Sequence, residues 1–89
     1  LQVEFTKKGA RSLRDLPDDD ELRVRTAILA FAAGNLPNAD VKKLKGAQPE
    51  AFRLRVGKWR VIYRREHDVE VVGATMLIVL IDDRKDVHR

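Results

Sequence analysis

The chain has 89 residues, 44% hydrophobic and 36% charged, with a formal net charge of +4 and no cysteine. That balance describes a folded globular chain rather than a disordered one, read as a single domain over residues 1–89 with one modest core. Disulfides and thiolate metal sites are excluded, no apolar run approaches the ~18 residues of a membrane span, and a cytoplasmic location fits the composition.

The chain opens at Leu1 rather than Met and is read as trimmed at its N-terminus. Residues 2–6 alternate, with Val3 and Phe5 on one side, and predict a first strand. Thr6 is placed to cap a helix over residues 7–16, whose Ala10, Leu13 and Leu16 lie near one side; Pro17 closes it. Asp18, Asp19, Asp20 and Glu21 then open a second helix over residues 19–33, where carboxylates accept free N–H groups and complement the dipole. These acids lack the glycine and distal glutamate of a calcium loop, so capping is read ahead of metal binding. At about 100° per residue, the second helix carries two apolar stripes. Leu22, Leu29 and Ala33 form one; Val24, Ala27, Ile28 and Phe31 form the other, nearly opposite. One stripe can cover a sheet. The first helix is expected to cover the other, with a partner chain as the alternative. Gly34, Asn35 and Pro37 end the helix.

Residues 38–49 read as a loop that carries Lys42, Lys43 and Lys45 on a surface turn. The stretch AFRLRVGKWRVIYRR over residues 51–65 predicts a hairpin turning at Gly57 and Lys58, with glycine first as a type II′ turn requires. That turn sets Val56 opposite Trp59, Arg55 opposite Arg60, Leu54 opposite Val61, Arg53 opposite Ile62 and Phe52 opposite Tyr63. Alternation then places Phe52, Leu54, Val56, Trp59, Val61 and Tyr63 on a core face, and Arg53, Arg55, Arg60 and Arg64 on the other with Ile62. Trp59 and Tyr63 therefore belong to the core rather than to a base-stacking surface. Like charges directly opposite are destabilising, by roughly 0.2–1 kcal/mol on the scale of cross-strand pairs. Carboxylates near in sequence are few, so the arginine face reads as arranged for an anion, and the basic middle of the chain suggests a polyanionic partner such as nucleic acid. A solvated face whose arginine stems lie over apolar surface is the alternative. Residues 66–75 are ambiguous, with His67 read as a loop residue, Asp68 turning the chain and Gly73 marking a bulge or second turn. Residues 76–81 form a near-continuous apolar run, read as a central strand buried on both faces and emptying into a charged end. The resulting fold is α+β, in the order β-α-α-β-β-β. Two N-terminal helices pack on one face of a small, largely antiparallel four-stranded sheet, leaving the arginine face open.

The segments VKKLKG, FRLRVGKWRVIY and LIVLIDDRKDVHR together resemble the RelE/ParE superfamily of bacterial toxins from toxin–antitoxin pairs, closer to the RelE branch, over essentially the whole chain. The resemblance implies two helices on a curved antiparallel sheet, and a cognate antitoxin that holds the toxin inactive in a hetero-oligomer. In the RelE branch the open face binds messenger RNA in the ribosomal A site and cleaves it. In the ParE branch the same scaffold inhibits DNA gyrase and does not need the basic cluster. Carried over residue by residue, the RelE pattern assigns catalytic positions to Arg53, Arg55, Arg60 and Arg84, and to His88 where the family often has tyrosine. Lys42, Lys43, Lys45, Lys58 and Arg64 would extend the RNA-binding surface. No metal and no cofactor is implied. Arg55 stands where some members carry lysine, and a guanidinium is a poor base at neutral pH. His88 is then the best candidate acid or base, the alternative being a chain-end residue without a role.

Overall fold

The computed structural model describes residues 1–67 and 73–83. The elements are β1 (Gln2–Phe5), α1 (Lys7–Arg14), α2 (Asp18–Ala32), β2 (Asp40–Lys43), β3 (Phe52–Val56), β4 (Trp59–His67) and β5 (Ala74–Asp83). They form one mixed sheet in the order β1-β5-β4-β3-β2, with β1 parallel to β5 and the other pairs antiparallel. The sheet therefore has five strands, not four. The additional strand, β2, lies inside the segment expected to be a loop. It is four residues long, exposed throughout and charged at three positions, which is how edge strands avoid further pairing and why no periodicity announces it.

Local signals set the N-terminal half. The Thr6 hydroxyl accepts the Gly9 N–H at 3.0 Å, capping α1 as its position predicts. The helix ends at Arg14, short of Leu16, which is nevertheless buried. At α2 the expected carboxylate cap is absent. Pro17 takes the N-cap position without a side-chain hydrogen bond, and all four acidic residues fall within the first turn, where they act on the dipole by charge alone. Of the two apolar stripes on α2, Val24 and Ile28 are fully buried, with Ala27 and Phe31 packed beside them. The stripe that α1 was expected to cover stays open: Leu22 is 66% exposed and Leu29 56%. With eight residues, α1 is too short to reach over both sides of a helix nearly twice its length.

Instead, α1 closes a sheet edge. β1 pairs only with the first half of β5, from Gln2 opposite Thr75 to Phe5 opposite Ile78. Beyond that point Thr6 N–H donates to the Ile78 carbonyl at 3.0 Å, and Ile81 N–H donates to the Ser12 hydroxyl at 2.9 Å. These bonds satisfy backbone groups that would otherwise be left at an open edge. The approach is close enough that a Cβ at Gly9 would run into the Ile78 carbonyl, so glycine is the residue that fits.

β5 is longer than the predicted 76–81 run and is not buried on both faces. Ala74, Met76 and Ile78 point to the core, Leu77 is half-buried, and then the alternation breaks. The register steps from Tyr63 opposite Ile78 to Ile62 opposite Leu80, leaving Val79 as an extra residue in a bulge. After it, Ile81 faces the core. The near-continuous apolar sequence thus reflects a change of phase rather than two buried faces. His67, expected in a loop, is the last residue of β4, exposed and opposite Ala74. The core is formed by Leu54, Val61, Met76 and Ile78 from the sheet and Val24 and Ile28 from α2, all at 0–1% exposure. Among the described residues no helix is long and apolar enough to cross a membrane.

Candidate nucleic-acid interface

The hairpin of β3 and β4 has the register its turn dictates, with all five predicted cross-strand pairs in place. Gly57 has a φ of 59°, the left-handed value that the first position of a type II′ turn needs. One face is dry. Leu54 and Val61 are fully buried, Tyr63 is 2% exposed and stacks on Phe52 at 5.5 Å between ring centroids, and Trp59 packs at the edge of the core. The Trp59 indole N–H is buried with no hydrogen-bond partner among the described residues, an exception to the usual pairing of buried indoles. Burial holds the Tyr63 phenol above its usual pKa, with the charge of Arg65 opposing more weakly.

The opposite face collects the arginines, and β2 extends it. Asp40 is opposite Arg55, Arg55 opposite Arg60, and Arg60 opposite Asp82, so one row runs across four strands as acid, base, base, acid. Arg60 meets Asp82 fork to fork, its Nε 2.9 Å from Oδ1 and its Nη2 2.8 Å from Oδ2. This hydrogen bond raises the Arg60 pKa above its ordinary value, against the opposing effect of burial. Arg53, in the neighbouring row with Lys42, is only 7% exposed and donates from Nη2 to Asp40 Oδ1 at 3.0 Å. Arg55 is half-buried, with its Nε 3.9 Å from Asp40 Oδ2. The sequence-level expectation that carboxylates near the arginines are few is thereby corrected. The repulsion between Arg55 and Arg60 is offset at both ends of the row by aspartates from other strands.

The remaining predicted positions separate. Lys42 and Arg64 share the arginine face; Lys42 is exposed, and no carboxylate pairs with Arg64 among the described residues. Lys43 lies opposite Phe52 and pairs with Glu50 at 2.9 Å, so it is not gathered with the arginines. Lys45 is in the exposed turn after β2. Lys58 is exposed in the hairpin turn, 4.9 Å over the Trp59 ring and 3.9 Å from Asp83. Arg84 and His88 lie outside the described residues. The functional face also contains two residues that sequence reasoning missed, Asp40 and Asp82. Placing the first requires knowing that β2 exists. Placing the second requires the bulge at Val79, since unbroken alternation from Ile78 would send Asp82 to the core side. No residue-level signal marks either. On the helical side, Phe5, Leu13 and Leu29 line an apolar groove of about 340 Å³ between α1 and α2, with Arg14 and Arg25 at its border.

The two-helix layer at one side of a five-stranded mixed sheet is an architecture shared with solved structures. The toxin–antitoxin RelB–RelE complex of Methanococcus jannaschii contains a chain that superposes with a TM-score of 0.67 at 21% identity, over 96% of this chain and 94% of that one. Sequence similarity goes further than the fold. Toxin RelG of Mycobacterium tuberculosis is 30% identical over 90 residues, spanning 98% of this chain and 94% of its own length. The RelE1 protein of Methanocaldococcus jannaschii is 35% identical over 65 residues, 71% of each chain. No protein-family model matches the chain. At that identity and coverage the chain belongs to the RelE family of toxins.

Proposed function

We propose that this toxin cleaves messenger RNA on the ribosome, as a metal-independent endoribonuclease that stops translation in the cytoplasm. The observation that carries the reading is the convergence of Arg53, Arg55 and Arg60 on one sheet face, extended by Lys42 and Arg64. RNA transesterification needs a base for the 2′-OH, in-line attack of that oxygen on phosphorus, and an acid for the leaving 5′-oxygen. Negative charge builds on the non-bridging oxygens, and preorganised guanidiniums aimed at them supply much of the rate. Arg53, Arg60 and Arg84 are suited to that role, being permanently charged and able to grip phosphate by a fork. His88 is the candidate proton carrier. Lys42, Lys45, Lys58 and Arg64 would hold flanking phosphates, Lys58 once released from Asp83; Lys43, opposite Phe52, lies on the other side of the sheet.

The partner is a cognate antitoxin. An acidic, apolar segment would suit both the basic sheet face and the exposed Leu22, Leu29 and Phe5 on the helical side. One observation favours a second reading, in which the chain inhibits DNA gyrase by contact without catalysis: Arg53 and Arg60 are already engaged by aspartates of their own chain. Brief induction, with mapping of cellular mRNA ends alongside DNA supercoiling, separates the two. Codon-positioned cuts on translated messages are expected, falling about 10²-fold in an Arg60→Ala variant that still folds. Intact messages with gyrase-dependent DNA breaks would replace the nuclease reading by the second.

A further inference from the structure

The pairing of Arg60 with Asp82 is more than a neutralised charge. The guanidinium offers its Nε and Nη2 edge, and the carboxylate fills it with two oxygens at 2.9 and 2.8 Å. A phosphodiester presents the same geometry through its two non-bridging oxygens, and a guanidinium fork does not distinguish the two by shape. The side chains of Arg60 and Asp82 are 18% and 21% exposed, so the pair is accessible from solvent at its rim and not sealed in the core. Its placement is built into the backbone. Only because Val79 is an extra residue does Asp82 stand opposite Arg60 on the arginine side. At the other end of the row Asp40, with a side chain 52% exposed, accepts a single hydrogen bond from Arg53 at 3.0 Å and lies 3.9 Å from the Arg55 Nε.

We propose that Asp82 is an internal stand-in for phosphate: it occupies the anion seat of Arg60 in the free protein, and an RNA phosphodiester binds there by displacing it. The idea rests on the RNA-binding reading of this face and deepens it, by naming the group the RNA must compete with. Ligand binding then exchanges one charge-assisted fork for another rather than creating one from a solvated cation. Affinity is held down until other contacts, such as Lys42 and Arg64 on flanking phosphates, supply the difference. A free toxin of this kind grips stray single-stranded RNA weakly and is selective for RNA presented at several points together.

The test is the affinity of a single-stranded oligoribonucleotide made uncleavable by 2′-O-methylation, measured by fluorescence anisotropy at fixed salt. Asp82→Asn keeps the side-chain shape and removes the competing charge, and its affinity is expected to rise about tenfold, the equivalent of about 1.4 kcal/mol. Asp19→Asn, at an exposed position in the first turn of α2, makes the same change in net charge on the helical side and controls for the general attraction of a more cationic protein. The gain at Asp82 should exceed the gain at Asp19, and should vanish when Arg60→Gln is also present. Asp82→Ser provides a second variant, and thermal unfolding of each confirms the fold. Equal gains at Asp82 and Asp19, or weaker binding by both Asp82 variants, overturn the proposal; weaker binding would make Asp82 a positioning residue that orients Arg60. Messages cut in cells with no gain from Asp82→Asn would sink the exchange alone. A gain with intact messages would sink the nuclease reading alone.

Discussion

The two faces of the β3–β4 hairpin are made by alternate residues of the same two strands, yet they are stabilised in different ways. On the core face, Leu54, Val61 and Tyr63 gain by leaving water and by packing against α2 and β5, with no requirement for a particular partner. On the other face, Arg53 at 7% exposure is as buried as Val56 at 8%, but only because Asp40 meets its guanidinium and neighbouring side chains cover its stem. Alternation decides which side a residue takes. For an apolar residue that nearly completes the account. For a charged one the outcome depends on which distant strand supplies the counter-charge.

The largest test of that contrast is a pair of truncations one residue apart. Leu54→Ala should cost about 2–5 kcal/mol in denaturant unfolding, the usual range for emptying a fully buried leucine site. Arg53→Ala should cost less, about 1–3 kcal/mol, through lost stem packing and a lost charge-assisted hydrogen bond. An Arg53 loss equal to that of Leu54 would mean that both faces are sealed, and would remove Arg53 from any solvent-facing interface.

A second test uses the single tyrosine of the chain. Burial raises the Tyr63 pKa in the folded state, so the neutral phenol is favoured by folding. Its contribution to stability is complete below the ordinary tyrosine value and is lost as pH rises through the higher folded value. Ultraviolet titration should place tyrosinate formation at higher pH in the folded chain than in the unfolded one. Coincident titrations would show that the phenol reaches water and the core face is wet.

The smallest effect is expected at Leu29, on the open stripe of α2. Leu29→Ser should change stability by no more than about 0.5 kcal/mol, the usual range for surface substitutions. A cost approaching that of Leu54→Ala would mean that something covers this stripe in the isolated protein.

How much of this was legible beforehand follows the same division. The hairpin register was readable because Gly57 fixes the turn, and a two-residue turn leaves the pairing no freedom. The Thr6 cap, the buried stripe of α2 and the family resemblance were readable for similar reasons, each being local or carried by a contiguous motif. β2 was not, because four exposed residues paired to one neighbour have no apolar pattern of their own. The open stripe was misassigned because its cover depended on the length of α1 relative to α2. Asp40 and Asp82 were missed as parts of the arginine face because each reaches it by pairing with a strand distant in sequence.

The bulge at Val79 also has a consequence for comparing this chain with its relatives. A strand that gains one residue midway cannot be matched position for position with one that does not, even where both read as continuous runs of valine, leucine and isoleucine. Against a relative that lacks the bulge, an alignment that slides through β5 without a gap there would exchange inward and outward residues from Leu80 onward. Counterparts of Asp82 are therefore best identified by facing Arg60 across the sheet, and not by their distance from the apolar run that precedes them.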